Sequence, residues 1–123
     1  MQIAKLLVAS LALSLVSFSQ DSRGQIQGRV NDPSGAVVVA ASVRAVNTAT
    51  NVSTSVTTNS TGDFLIPFLV PGAYRVEVEA TGFKHWIREG IGVQVNDRVT
   101  LNISLTVGAA TETVSVNADA PLV

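Results

Sequence analysis

Cysteine is absent from the 123 residues, and histidine, tryptophan and tyrosine occur once each. Without cysteine there are no disulfides, no thiolate metal sites and no lipid attached through a thiol. An exported protein of this sequence must therefore be stable through burial alone. The single histidine, His85, falls short of the His and Cys sets that hold zinc. It is expected on the surface of a strand, and no metal or other cofactor is expected. Charge is also sparse, with 8 Lys and Arg against 9 Asp and Glu. No basic stripe is available to track phosphates, so nucleic acid is not an expected partner. No Gly-rich phosphate loop leads into a helix, and no serine sits in a nucleophile-elbow pattern. Enzyme chemistry is not expected.

Hydrophobic residues are plentiful by contrast, at 46%, but part of them fall at the very start of the chain. Lys5 precedes the run LLVASLALSLVSF, and Ser17 and Ser19 stand two apart before a polar QDSRGQ. A positive start, a short apolar run and small residues, in that order, mark a secretory signal peptide. A membrane anchor is the competing reading, but the run is shorter than the roughly 20 apolar residues that span a bilayer. Residues 1–19 are expected to be removed on export, leaving a mature chain that begins near Gln20 and has no membrane-spanning segment. Their removal takes away one Lys and no acid, so the formal net charge goes from -1 to -2.

Beyond the leader no apolar residues recur at a helical period. Short alternating stretches recur instead, separated by strong turn signals, as in an antiparallel β-sandwich of about seven strands. GQIQGRVN places Ile26, Gly28 and Val30 on one side, and VVVAASVRAVN follows the turn DPSG. NVSTSVTT puts Val52 and Val56 on one face. FLIPFLV puts Phe64, Ile66 and Phe68 on one face, with Pro67 demanding an edge or a bulge. AYRVEVEA turns Tyr74, Val76 and Val78 inward. KHWIREGIGVQVN reads as two short strands broken at Gly90 or Gly92. RVTLNISLTV aligns Val99, Leu101, Ile103, Leu105 and Val107.

The structural turns are expected at Pro33 and Gly35, at Gly62, at Pro71 and Gly72, and at Gly82. Pro71–Gly72 suits a type II turn in which the glycine takes a positive φ. Asn31 and Asp32, and again Asn59 and Asp63, stand beside these turns. Calcium needs 6–8 oxygen ligands, and turn chemistry by Asx side chains accounts for both pairs more simply. Phe83, His85 and Trp86 form a candidate carbohydrate platform. The competing reading places Trp86 in the core, as large aromatics in small sandwiches are.

The ordered set GRVNDPSGAVVVAASVRAVNTATN, TTNSTGDFLIPFLVPGAYRVEVEATGF resembles the carboxypeptidase regulatory-like domain. The matching features run from Gly28, Val30, Asp32 and Gly35 through Thr61–Gly62–Asp63–Phe64 and Pro71–Gly72–Ala73–Tyr74 to Gly82–Phe83. The resemblance covers about residues 24–107 and implies a transthyretin-like or starch-binding-like sandwich. The following stretch, through ETVSVNADAPLV, resembles the amino-terminal extension of large TonB-dependent outer-membrane receptors. There the sandwich stands in the periplasm ahead of a plug and a membrane barrel. The resemblance thus implies a periplasmic or outer-membrane-associated location. It also implies a TonB-box-like contact segment at Glu112–Ala118, in which Glu112, Thr113, Val114, Ser115 and Val116 meet the periplasmic domain of a TonB-like protein. No transport site or barrel falls within these residues, so transport is not assigned to them.

Three segments are therefore expected: a signal peptide (1–19), a sandwich (20–107), and a linker with a contact tail (108–123). Three functions compete: a receptor module that contacts its partner through the tail, a carbohydrate-binding module, and an accessory domain that stabilises a neighbour. A free tail favours the first, an exposed aromatic platform the second, and an ordered, paired tail the third. Val114 and Val116 bury too little to hold a terminal strand, so the tail is expected to be mobile without a partner.

Overall fold

Alternating stretches become strands in the computed structural model, which describes residues 23–117. The expected signal peptide and residues 118–123 lie outside the described residues. The strands are β1 (Gly24–Asn31), β2 (Ser42–Asn47), β3 (Ser53–Thr57), β4 (Asp63–Leu69) and β5 (Gly72–Glu79). They continue with β6 (His85–Val93), β7 (Arg98–Ser104) and β8 (Thr113–Asn117). No helix occurs among the described residues.

The strands form a three-stranded sheet, β4-β1-β7, and a five-stranded sheet, β3-β2-β5-β6-β8. Neighbours pair antiparallel except β1 with β7 and β6 with β8, which run parallel. Parallel neighbours require a crossover. For β6 and β8 the crossover is β7 itself, which leaves the larger sheet, joins the smaller one and lets the chain return. The core lies between the sheets, with Ile26, Val43, Ile66, Val76, Ile103 and Leu105 fully buried. Each such side chain contributes about 1.5–3 kcal/mol, which is how a domain without disulfides is held together.

Two bulges decide which residues reach the surface. Pro67 cannot donate a ladder hydrogen bond, and β4 is an edge strand as expected. Its pairing with β1 slips by one residue between Ile66 and Leu69. Phe68 lies in this slip with φ 58. Phe64 and Ile66 point inward as the alternation predicts, but Phe68 is turned out to 66% exposure, and Leu69 is buried instead. The second bulge is on β6, where four residues from Arg88 to Ile91 face three from Tyr74 to Val76. Gly90, with φ 71, absorbs the extra residue. The expected break at Gly90 or Gly92 is thus corrected to one continuous strand.

Smaller differences have local causes. VVVAASVRAVN enters the sheet only at Ser42. Before that Val37 makes a single bridge to Asn31, and Ala40 has φ 62. Val52 precedes β3 and is exposed, and Val107 lies past the end of β7 and is exposed too.

Candidate functional site

The tail segment returns to the larger sheet beside β6. After β7 the chain bridges Val107 to Phe83 and turns, with the Glu112 N–H donating to the Ala109 carbonyl at 2.9 Å. The His85 N–H then donates to the Glu112 carbonyl at 2.8 Å, and Lys84 Nζ reaches Glu112 Oε2 at 3.0 Å. These contacts set the register. His85 pairs with Thr113, Trp86 with Val114, Ile87 with Ser115 and Arg88 with Val116. The expectation of an unpaired, mobile tail beyond residue 107 is therefore corrected: residues 113–117 close the larger sheet as β8. Burial of two valines is not what holds it, since Val114 is only half-buried and Val116 is exposed. The free edge of β6 supplies ladder hydrogen bonds that a count of apolar area leaves out.

β8 is itself an edge strand. In an extended strand the N–H and C=O of one residue point to the same side, and successive residues alternate. The Glu112 carbonyl faces β6, so Val114 and Val116 face β6 as well. Thr113 and Ser115 then direct their backbone groups to the other edge, where no strand pairs among the described residues. Their side chains are exposed.

The carbohydrate platform is not assembled. Trp86 is 6% exposed and belongs to the core. His85 precedes it on β6 and so faces the opposite side of the sheet. His85 is half-buried rather than lying on the open surface. Its Nε2 stands 3.6 Å from Glu79 Oε1, outside hydrogen-bond distance, and has no hydrogen-bond partner. Phe83 is half-buried against the core.

The turns behave as Asx turns. Asp32 Oδ1 accepts from the Ser34 N–H, the Ser34 hydroxyl and the Ala36 N–H. Pro33 occupies the second turn position, and the Gly35 N–H donates to the Asp32 carbonyl at 3.0 Å with Gly35 at φ 88. Asn59 Oδ1 repeats the pattern toward Thr61 and Asp63, with Gly62 at φ 75. The Ser34 hydroxyl above all, with the turn N–H groups, holds the Asp32 carboxyl below the usual carboxylate range. The Arg29 guanidinium, then the Thr61 hydroxyl, does the same for Asp63. Gly82 has φ 85 in the turn before Phe83. Gly72 is a correction, because it is the first residue of β5 and not among the positive-φ glycines. The left-handed residue near this corner is Phe68, so Pro71–Gly72 does not need the type II geometry. The Tyr74 hydroxyl donates to the Val70 carbonyl and fastens this corner.

On the outer face of the larger sheet, Glu77 lies between Arg44 and Arg75, with Arg44 Nε at 2.9 Å and Arg75 Nε at 3.1 Å. Burial pushes the Glu77 carboxyl up, but the hydrogen bonds and charges of Arg44, then Arg75, outweigh it and leave the pKa lowered. Among the described residues no three His, Cys, Asp or Glu side chains gather as metal ligands. Nor is any helix long and apolar enough to cross a membrane among them.

Sequence reasoning missed the exposed apolar cluster Val52, Phe68 and Val70. The available signal was Pro67, whose bulge reverses the side-chain parity after it.

Residues 25–106 match the carboxypeptidase regulatory-like domain, and the chain belongs to that family. A comparison with curated proteins finds no match. Among solved structures the chain is similar to the Bacillus anthracis TIE protein, with TM-score 0.60 and 20% identity over 70% of this chain and 17% of that one. It is similar to a Bacteroides uniformis protein described as carbohydrate binding, with TM-score 0.55 and 15% identity over 67% of this chain and 40% of that one. It also resembles a chain of a cohesin–X-dockerin complex from Acetivibrio cellulolyticus, with TM-score 0.52 and 19% identity over 69% of this chain and 58% of that one. The chain thus spans less than two thirds of these neighbours, and at such identities the likeness is one of fold.

Proposed function

We propose that this chain is a non-catalytic, exported β-sandwich module of the kind that precedes the plug and barrel in TonB-dependent outer-membrane receptors. In this role it serves as an accessory domain with a strand-pairing edge. The carrying observation is β8: it is paired on one side, open on the other among the described residues, and made of the residues that resemble a TonB box. The ordered tail favours the accessory role over a free contact peptide. Partner contact then takes a different form from a loose tail becoming ordered. An extended segment of a TonB-like periplasmic domain adds to the outer edge of β8, with main-chain hydrogen bonds giving affinity. Thr113 and Ser115 supply those bonds. Exposed polar side chains on this edge leave it soluble until a partner arrives.

The experiment is a binding titration with the periplasmic domain of a TonB-like protein. Ser115→Pro removes an outward N–H while leaving the β6-facing groups of Val114 and Val116 in place. It is expected to weaken binding at least ten-fold with little change in melting temperature. Unchanged affinity in Ser115→Pro would rule out strand addition at this edge.

A further inference from the structure

Trp86 and Arg88 on β6 share the inner face of the larger sheet with Val114 and Val116 on β8. Trp86 pairs with Val78 and Val114, and Arg88 pairs with Val76 and Val116. Paired residues stand on one face, and Val76 and Val78 are fully buried in the core. β8 is the outermost strand of its sheet. Val116 is 37% exposed there, so the smaller sheet leaves this corner of the inner face uncovered.

Arg88 is an unusual residue for that face. Its Nε is buried and has no hydrogen-bond partner. No carboxylate pairs with its guanidinium among the described residues. The acids of the neighbouring strands are turned away or engaged. Glu89 follows Arg88 in the strand and so faces the other side. Glu77 is held by Arg44 and Arg75 on the outer face, and Glu79 stands near His85. Glu112 is held by Lys84. A charged group set among apolar side chains without a partner costs stability. Nothing among the described residues offsets that cost, so the acceptor must come from outside them.

We infer that the strand received by β8 carries a glutamate on its inner face, beside Val116, whose carboxylate meets the Arg88 guanidinium. The site rests on the strand addition proposed for the outer edge of β8 and adds side-chain selectivity to it. Neighbouring strands lie about 4.8 Å apart, so a strand added to β8 lies about 10 Å from β6. An arginine and a glutamate side chain together span that distance across Val116, and an aspartate is shorter by a methylene group. A guanidinium takes a carboxylate through two parallel N–H···O bonds, which gives direction as well as strength. Two positions from the glutamate, the same face of the added strand meets Val114 and calls for an apolar residue. A small inorganic anion would answer the charge but leave the valines uncovered. The partner segment is therefore extended, with a glutamate and an apolar residue two positions apart.

The test is an NMR titration of the full, isotopically labelled chain with two capped peptides. One has a central glutamate, a valine two positions to either side and threonine elsewhere, and the other has glutamine at the centre. Valine on both sides serves either strand direction. The glutamate peptide is expected to shift the Thr113 and Ser115 amides and the Arg88 Nε–H signal. It should bind about five-fold tighter or more than the glutamine peptide. In Arg88→Met the two peptides should bind alike. Methionine keeps an unbranched stem, so this variant should fold and melt no lower than the parent chain, because the guanidinium has no partner to lose. Equal affinity of the two peptides for the parent chain would overturn the glutamate contact and leave strand addition standing. No shift at Thr113 or Ser115 with either peptide would overturn both. A preference for glutamate that survives in Arg88→Met, or a clear fall in its melting temperature, would overturn the role given to Arg88.

Discussion

At the scale of single residues, close approach and charge pairing decide more than composition does. Gly28 lies in the middle strand of the smaller sheet, and a Cβ there would stand 1.8 Å from the Leu101 carbonyl oxygen. Backbone cannot yield as a flexible side chain can, so Gly28→Ala is expected to cost several kcal/mol, about the upper range for single substitutions. Thermal unfolding measures it, and a loss under a few degrees would show that β7 moves away cheaply. Glu77 gives a pH dependence of definite sign. Its folded pKa is depressed, so the stability from its pairing with Arg44 and Arg75 is full above the unfolded pKa. It is lost as pH falls through the folded value. Melting temperature should therefore fall below about pH 4. Glu77→Gln should start lower at neutral pH and fall less on acidification, as scans across pH would record. Asp32 and Asp63 act in the same direction, so some acid dependence remains in the variant.

At the scale of elements, regular alternation was readable and departures from it were not. β1, β5 and the Leu101–Ile103 face of β7, continued by Leu105 just past its end, follow directly from period-2 patterning. Phe68 did not, because one extra residue at Pro67 reverses every side chain after it. Pro67 announced an edge or a bulge, but not which residue would be expelled. The Phe83, His85 and Trp86 platform failed on the same rule, since consecutive strand residues cannot share a face. β8 was hidden for a different reason. Its partner, β6, is distant in sequence and runs parallel, and backbone hydrogen bonds leave no pattern in side-chain type. Holding power at β8 therefore resides in the ladder more than in burial. Val114→Pro removes a β6-facing donor, so it is expected to detach β8 while leaving the sandwich folded. The melting temperature should drop by only a few degrees, at roughly 4–8 °C per kcal/mol for a domain of this size. A collapse of the whole domain would place β8 within the cooperative core.

At the scale of the whole molecule, two sheets of unequal width enclose one apolar core without a disulfide, and each edge of the wider sheet carries a different chemistry. The β3 edge presents an aromatic cleft, and the β8 edge presents backbone that no strand pairs among the described residues. Membership of the carboxypeptidase regulatory-like family was legible from an ordered set of turn and core residues, because turns need particular residues and so leave a trace in sequence. Export is proposed from the signal-peptide pattern of residues 1–19. Protein recovered from the periplasmic fraction is expected to begin near Gln20 by intact mass, and a chain retaining Met1 in the membrane would contradict this. The central claim is that β8 is a folded edge strand that receives a partner strand. Amide hydrogen exchange across residues 112–116, with and without a TonB-like periplasmic domain, tests it most directly. Val114 and Val116 should be protected in both states, and Thr113 and Ser115 only in the complex. Exchange at Thr113 and Ser115 unchanged by the partner, or protection lost at Val114 and Val116 on binding, would contradict it.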